Sequence, residues 1–195
     1  MAIDHSQGWD NIAEQFMAAR SNIGAETVLA WARDTMSPGD SIIDVGCGSG
    51  LPISKVLIDG GFEVLGIDAS PNLVAAFADR FPTAQVACEP AQQSDFFNRK
   101  FEACVSIGLI FLLNEDDQRE VIRRIAGALK QGGRFLFTAP YEPCEWRDVL
   151  TGRHSKSLGF DTYERLLLAA GLRLIGCRVD EGQNNYYDAI KPPSG

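Results

Sequence analysis

A chain of 195 residues fits one α/β domain, and a core of that size needs no disulfide or metal staple. Its 26 Asp+Glu outweigh 18 Lys+Arg to give a net charge of −8, which disfavours a long phosphate backbone as substrate, and no basic run offsets it. The N-terminus lacks the apolar core of a signal peptide, and the longest apolar run, residues 107–113, is far too short to cross a bilayer. A cytoplasmic protein without nucleic-acid or membrane partners is expected. The five cysteines (Cys47, Cys88, Cys104, Cys144, Cys177) are odd in number with no CxxC pair, which fits a reducing compartment. The two histidines, His5 and His154, are too far apart for zinc-ligand spacing, so no metal is expected.

The apolar spacing predicts an amphipathic helix over 8–20 and a second over 24–36, together a helical cap over 1–38. Ser37-Pro38-Gly39-Asp40 is turn chemistry, and the β-branched run 41–45 reads as a buried parallel strand. A helix follows, with Pro52 in its first turn, and ends at Gly60-Gly61. Residues 62–67 form strand two, closed by Asp68. Ser70-Pro71 reads as N-cap and first position of a helix over 72–80. Strands three and four fall at 84–88 and 101–107. Asn114 caps a helix reaching about Lys130, with three acids at its positive end, and Gln131-Gly132-Gly133 stops it before strand five at 134–138. Residues 139–160 lack a clear period and read as a long loop or insertion. Asp161-Thr162-Tyr163-Glu164 resembles a capping box for a helix ending at Gly171. Two last strands, 172–179 and 185–190, are joined too briefly to be parallel. Tyr186 and Tyr187 should alternate between the faces of the last strand. Strands alternating with helices make a doubly wound sheet in one domain, 1–195.

The informative segment is 44–50, Asp-Val-Gly-Cys-Gly-Ser-Gly. Glycines directly after a strand let backbone approach a ligand closely, and the next helix aims N–H groups at the same place. That crevice lies beyond the carboxyl end of strand one. Asp44 before the glycines is unwelcome beside a pyrophosphate but suits an ammonium group. Asp68, at the end of strand two, can accept both ribose hydroxyls. These features describe a nucleoside with an amino-acid-like tail and no phosphate.

Residues 43–50 (Ile-Asp-Val-Gly-Cys-Gly-Ser-Gly) resemble motif I of the class I S-adenosylmethionine-dependent methyltransferases. Residues 66–70 (Gly-Ile-Asp-Ala-Ser) resemble the second motif, 101–106 (Phe-Glu-Ala-Cys-Val-Ser) the strand-four segment, and 129–135 (Leu-Lys-Gln-Gly-Gly-Arg-Phe) the turn before strand five. The resemblance implies a Rossmann-like three-layer sandwich whose seven-stranded sheet has order 3-2-1-4-5-7-6, strand seven antiparallel. It implies S-adenosylmethionine as cofactor and a small-molecule methyl acceptor. It implies a cofactor site of Asp44, Gly46, Cys47, Gly48, Gly50, Asp68, Ala69, Glu89, Pro90, Ala91 and Ser106, with Phe16 and Arg20 closing over it. Cys88-Glu89-Pro90-Ala91 departs from the family's usual Gly-Asp-Ala, so Glu89 reads equally as a solvated loop acid and as an adenine contact.

Methyl transfer from a sulfonium needs alignment and a dry site more than a catalytic triad, because the leaving group departs neutral. A base is needed only where the acceptor must lose a proton. The candidates are His154, Glu142 and Tyr141 in the insertion at 139–160, which leaves strand five at the carboxyl edge and is expected to form the acceptor pocket and lid with the N-terminal helix. His154 reads also as a surface histidine. Ser106-Ile107-Gly108-Leu109 lacks the Asn/Asp-Pro-Pro-aromatic motif of enzymes acting on nucleobase or glutamine amides. A non-catalytic S-adenosylmethionine-binding protein and a nicotinamide-dependent oxidoreductase are the alternatives, the second disfavoured by the missing G-x-G-x-x-G.

Overall fold

The computed structural model describes residues 4–193; the first three residues of the expected cap lie outside them. The strands are β1 (Ser41–Val45), β2 (Glu63–Asp68), β3 (Gln85–Cys88), β4 (Phe101–Ser106), β5 (Leu129–Thr138), β6 (Cys144–Arg147), β7 (His154–Ser157), β8 (Arg173–Val179) and β9 (Asn185–Ile190). Seven of them form one sheet in the order β3-β2-β1-β4-β5-β9-β8, while β6 and β7 pair separately. The first five strands run parallel, and β9 is antiparallel to both its neighbours. Counted along the sheet alone, the order is 3-2-1-4-5-7-6 with the seventh strand reversed, as the resemblance implied.

The helices are α1 (Ala13–Ala19), α2 (Ala25–Thr35), α3 (Ile53–Asp59), α4 (Pro71–Arg80), α5 (Glu115–Ala128) and α6 (Phe160–Ala169). Successive strand residues point to opposite faces, so the sheet needs cover on both. Ile42, Val64, Leu136 and Tyr186 pack with Val28, Trp31 and Leu57 from α2 and α3. Ile43, Leu65, Phe135, Phe137 and Tyr187 pack with Val121, Ile125, Tyr163 and Leu167 from α5 and α6. The alternation expected of Tyr186 and Tyr187 is thus present. Two helix starts form as expected: Ser70 Oγ accepts from Leu73 N at 3.2 Å, and Asn114 Oδ1 accepts from Asp117 N at 2.9 Å.

Three local expectations change. Helix α5 ends at Ala128, because Leu129 is already extended and pairs with Phe101; Gly132 and Gly133 exchange backbone bonds with Lys191 at 2.8 and 2.9 Å instead of stopping a helix. Helix α6 starts at Phe160 with Gly159 (φ 79°) in the cap position, so Asp161 lies in the first turn and no capping box forms. The stretch 139–160 is not a loop but carries the β6–β7 hairpin. That hairpin rests on the 3-10 turn Ile110–Leu112, where the Trp146 and Phe111 rings lie 5.3 Å apart. Gln118 Nε2 donates to Lys156 O at 2.9 Å, and Tyr163 OH donates to Gln118 Oε1 at 2.8 Å, tying the hairpin to α5 and α6.

Under α6 the Phe137 ring stacks on Tyr187 at 4.7 Å and on Phe135 at 4.9 Å, with no exposed surface. Phe137→Ala should cost about 3–5 kcal/mol through the lost burial and the cavity left behind. Urea unfolding measures this, and a loss below about 1 kcal/mol would mean the aromatic stack is not a determinant of the fold.

Candidate functional site: the cleft at the carboxyl edge

The chain leaves β1 and folds back at once on the end of β2. The N–H groups of Gly46 and Cys47 both donate to Ile67 O, at 2.9 and 3.0 Å, and Gly50 N donates to Cys47 O at 2.9 Å. Gly48 (φ 55°) and Gly50 (φ 81°) take left-handed conformations that other residues rarely adopt. A Cβ at Gly48 would also stand 3.4 Å from Phe16 Cε1, and one at Gly50 2.9 Å from Phe77 Cδ2. Cys47 fills the space over Gly66, where a Cβ would come within 2.7 Å of its sulfur. Burial pushes the Cys47 thiol well up, so it stays neutral.

Asp68 closes β2 with both oxygens in use. Oδ2 accepts from Gly48 N at 2.8 Å and Oδ1 from Ser70 N at 2.9 Å. Burial raises its pKa, and those backbone bonds with one from Ala69 pull it back. Asp44 lies beneath the loop, 2% exposed, and Oδ2 accepts from Ser54 Oγ at 2.6 Å. Burial lifts its pKa to about 6, opposed by the Ser54 bond and the Arg20 charge.

Over the loop lies a cleft of about 880 Å³ counting its open mouth. Gly46, Cys47, Gly48, Asp68, Ala69, Glu89, Pro90 and Ala91 line it, together with Phe16 and Arg20 from the N-terminal segment. Glu89 accepts a hydrogen bond from Ser94 Oγ at the cleft's edge. Ile107, Leu109, Leu112 and Leu113 make an apolar wall. Gly50 and Ser106 serve from behind: Ser106 Oγ donates to Val45 O at 3.0 Å and joins the ends of β4 and β1.

The three candidate bases are not brought to this cleft. Tyr141 OH donates to Arg178 O and Tyr186 O, at 3.1 and 3.2 Å, within the aromatic cluster under α6. Glu142 is exposed before the hairpin. His154 is exposed on β7, its Nε2 3.2 Å from Glu145 Oε2. The segment 139–160 supports the apolar wall from outside, through Trp146 on Phe111, and lines none of the cleft. Sequence reasoning missed His5, Trp9 and Gln92, which do line it. The only available signal was that the N-terminal helix would cover the site.

Among the described residues, the buried Asp44, the half-buried Asp68, one guanidinium and a glycine cradle with no lysine suit a nucleoside carrying an ammonium and a carboxylate. These residues fit S-adenosylmethionine, which the glycine loop, Asp68 and residues 89–91 would hold. Fold and site together define a class I methyltransferase architecture.

A methyltransferase-domain family model matches residues 42–133. The tRNA U34 carboxymethyltransferase of Hahella chejuensis is 30% identical over 118 residues, which are 58% of this chain and 36% of that protein. The 2-methyl-6-phytyl-1,4-hydroquinone methyltransferase of Synechocystis sp. is 35% identical over 100 residues, 49% of this chain and 31% of that protein. The chain spans between 16% and 40% of the length of the curated relatives it matches. The crystal structure of Burkholderia thailandensis 1,6-didemethyltoxoflavin-N1-methyltransferase has a similar fold, with TM-score 0.75 at 16% identity, covering 98% of this chain and 92% of that one. The chain thus resembles S-adenosylmethionine-dependent methyltransferases over the family-model match and shares their class I fold.

Asp44 does not itself line the cleft, but a cofactor ammonium held just above it would make binding pH-dependent. In the free protein its folded pKa, about 6, lies above the ordinary 3.8, so ionisation costs stability as pH rises between those values. An ammonium group favours the ionised form, so binding below pH 6 must expel a proton. Calorimetry should show S-adenosylmethionine affinity falling about tenfold per unit as pH drops below the Asp44 pKa. Affinity that is level from pH 7 to pH 5 would remove Asp44 from the site.

Proposed function

We propose that this protein transfers a methyl group from S-adenosylmethionine to a small-molecule acceptor by in-line displacement, as a single cytoplasmic domain. The observation that carries the acceptor class is the cleft itself, roofed by Trp9 and Phe16 and walled by Ile107, Leu109, Leu112 and Leu113. A roofed apolar site suits a small, largely apolar molecule better than a polyanion, and the net charge of −8 supports that reading. The relatives' names range from tRNA to hydroquinone acceptors, so the acceptor class rests on the cleft and not on them. The free cysteines suit a reducing compartment.

When bound, S-adenosylmethionine supplies an electrophilic methyl group on a sulfonium and leaves as a neutral thioether. The chain's residues align the two reactants and exclude water. The new bond forms from an acceptor lone pair, and the electrons of the carbon–sulfur bond stay on sulfur. Where the acceptor is a hydroxyl or N–H group, its proton needs a receiver on the cleft. In this reading Asp68 faces the ribose and Glu89 the adenine, Arg20 is a cation and the Cys47 thiol is held neutral. His5 is the remaining side chain lining the cleft, among the described residues, that is able to take a proton. In this reading His5 takes the part that Tyr141, Glu142 and His154 cannot reach.

Methyl-labelled S-adenosylmethionine, offered with phenols, hydroquinones and N-heterocycles and separately with tRNA and ribosomal protein, tests the proposal. Label should pass to a small molecule. His5→Ala should lower that turnover about 100-fold or more with cofactor affinity preserved, while His154→Ala stays near wild type. Label moving only to tRNA or protein would contradict the acceptor class.

A further inference from the structure

The N-terminal segment over the cleft is fastened by one carboxylate. Asp10 Oδ1 accepts from Ser70 Oγ at 2.6 Å and from Asn72 N at 2.8 Å. Asp10 Oδ2 accepts from Asn72 Nδ2 at 3.2 Å, and the same amide donates to Asp10 O at 3.4 Å. All four bonds land on the first turn of α4, where a negative charge and unpaired N–H groups favour each other. Ser70 serves both sides, since its hydroxyl accepts from Leu73 N while donating to Asp10. Its own N–H goes to Asp68, and Asp68 takes the N–H of Gly48. One hydrogen-bonded chain therefore runs from Asp10 through Ser70 and Asp68 to the glycine loop.

Beyond Asp10 the segment crosses the cleft. Trp9 and Phe16 meet edge to face at 5.2 Å, Phe16 lies over Gly48, and the Arg20 guanidinium stands 5.1 Å from the Phe16 ring centre. Arg20 Nε donates to Leu51 O at 3.3 Å, an exposed and long bond. With four bonds against one, Asp10 is thus a stronger fastening than Arg20.

We propose that Asp10 is a positioning residue that holds the N-terminal segment shut over the cofactor cleft and so sets how long the cofactor stays bound. This rests on the S-adenosylmethionine reading of the cleft. A ligand under the segment leaves only when the segment lifts, and lifting breaks charge-assisted bonds at Asp10. A helix-capping role alone would change stability and leave release rates alone.

Stopped-flow fluorescence on the full chain, with Trp9 as reporter, measures release of S-adenosylhomocysteine into excess unlabelled competitor. Asp10→Ala should speed release about tenfold or more, while Asp10→Asn, whose amide oxygen still accepts from Ser70 and Asn72, should stay within about threefold of wild type. Urea midpoints are taken on the same samples. Should Asp10→Ala fail to fold, Asn72→Ala removes only the side-chain bonds and should speed release about threefold. A lower midpoint with unchanged release, or unchanged release in Asn72→Ala, overturns the proposal. Failure of the wild-type protein to bind S-adenosylhomocysteine would instead overturn the cofactor reading, and this inference with it.

Discussion

The carboxylate of Asp68 is the constraint on which the site depends. It stands where β2 ends, beside β1, and accepts from the glycine loop with one oxygen and from the cap of α4 with the other. The left-handed φ values at Gly48 and Gly50 disfavour any other residue there, and the loop's path is held by such bonds together with Cys47 packed over Gly66. Burial works against the Asp68 charge, and the backbone N–H groups that hold it offset that cost. Each carboxylate oxygen has a second lone pair, so the same group can fasten the loop and still accept from a ribose.

Around this point the cleft is assembled from parts far apart in the chain. The apolar wall at Leu109 and Leu112 is braced from outside by the β6–β7 hairpin, through Trp146 on Phe111. The hairpin's tip also reaches the roof: Arg153 lies against Gly8, and the Ser6 hydroxyl, with a smaller contribution from the Arg153 charge, holds the Asp4 carboxyl below its usual range. Asp4 in turn accepts from Ser6 N and Gly8 N, at 3.0 and 2.8 Å, and shapes the turn that carries His5. The segment 139–160 therefore supports the wall and roof of the cleft from outside without lining it.

The strands, the two strand-end acids and the glycine loop were legible in the sequence because local rules dictate them, whereas the strand order came from the family resemblance alone. A buried parallel strand must be β-branched, a tight turn after it must be glycine, and Ser70-Pro71 starts a helix wherever it stands. The hairpin was not legible because its inward residues include Ser155 and Ser157, which hide the two-residue period of a half-buried strand. The start of β5 was masked because Gly132-Gly133 read as a helix stop, whereas the bonds to Lys191 that decide their conformation come from the last strand. His5 and Asp10 were passed over for the same reason: each acquires its setting only when the N-terminal segment folds over α4, a contact between residues some 60 positions apart.

The central claim is that the cleft over Gly46 and Gly48 takes the nucleoside of S-adenosylmethionine with Asp68 at its ribose. A crystal structure of the protein with S-adenosylhomocysteine tests it most directly. The account predicts the ribose hydroxyls within hydrogen-bond distance of Asp68, the adenine beside residues 89–91 and the N-terminal segment closed over both. A nucleoside bound elsewhere, or one in the cleft with its ribose turned away from Asp68, would contradict it.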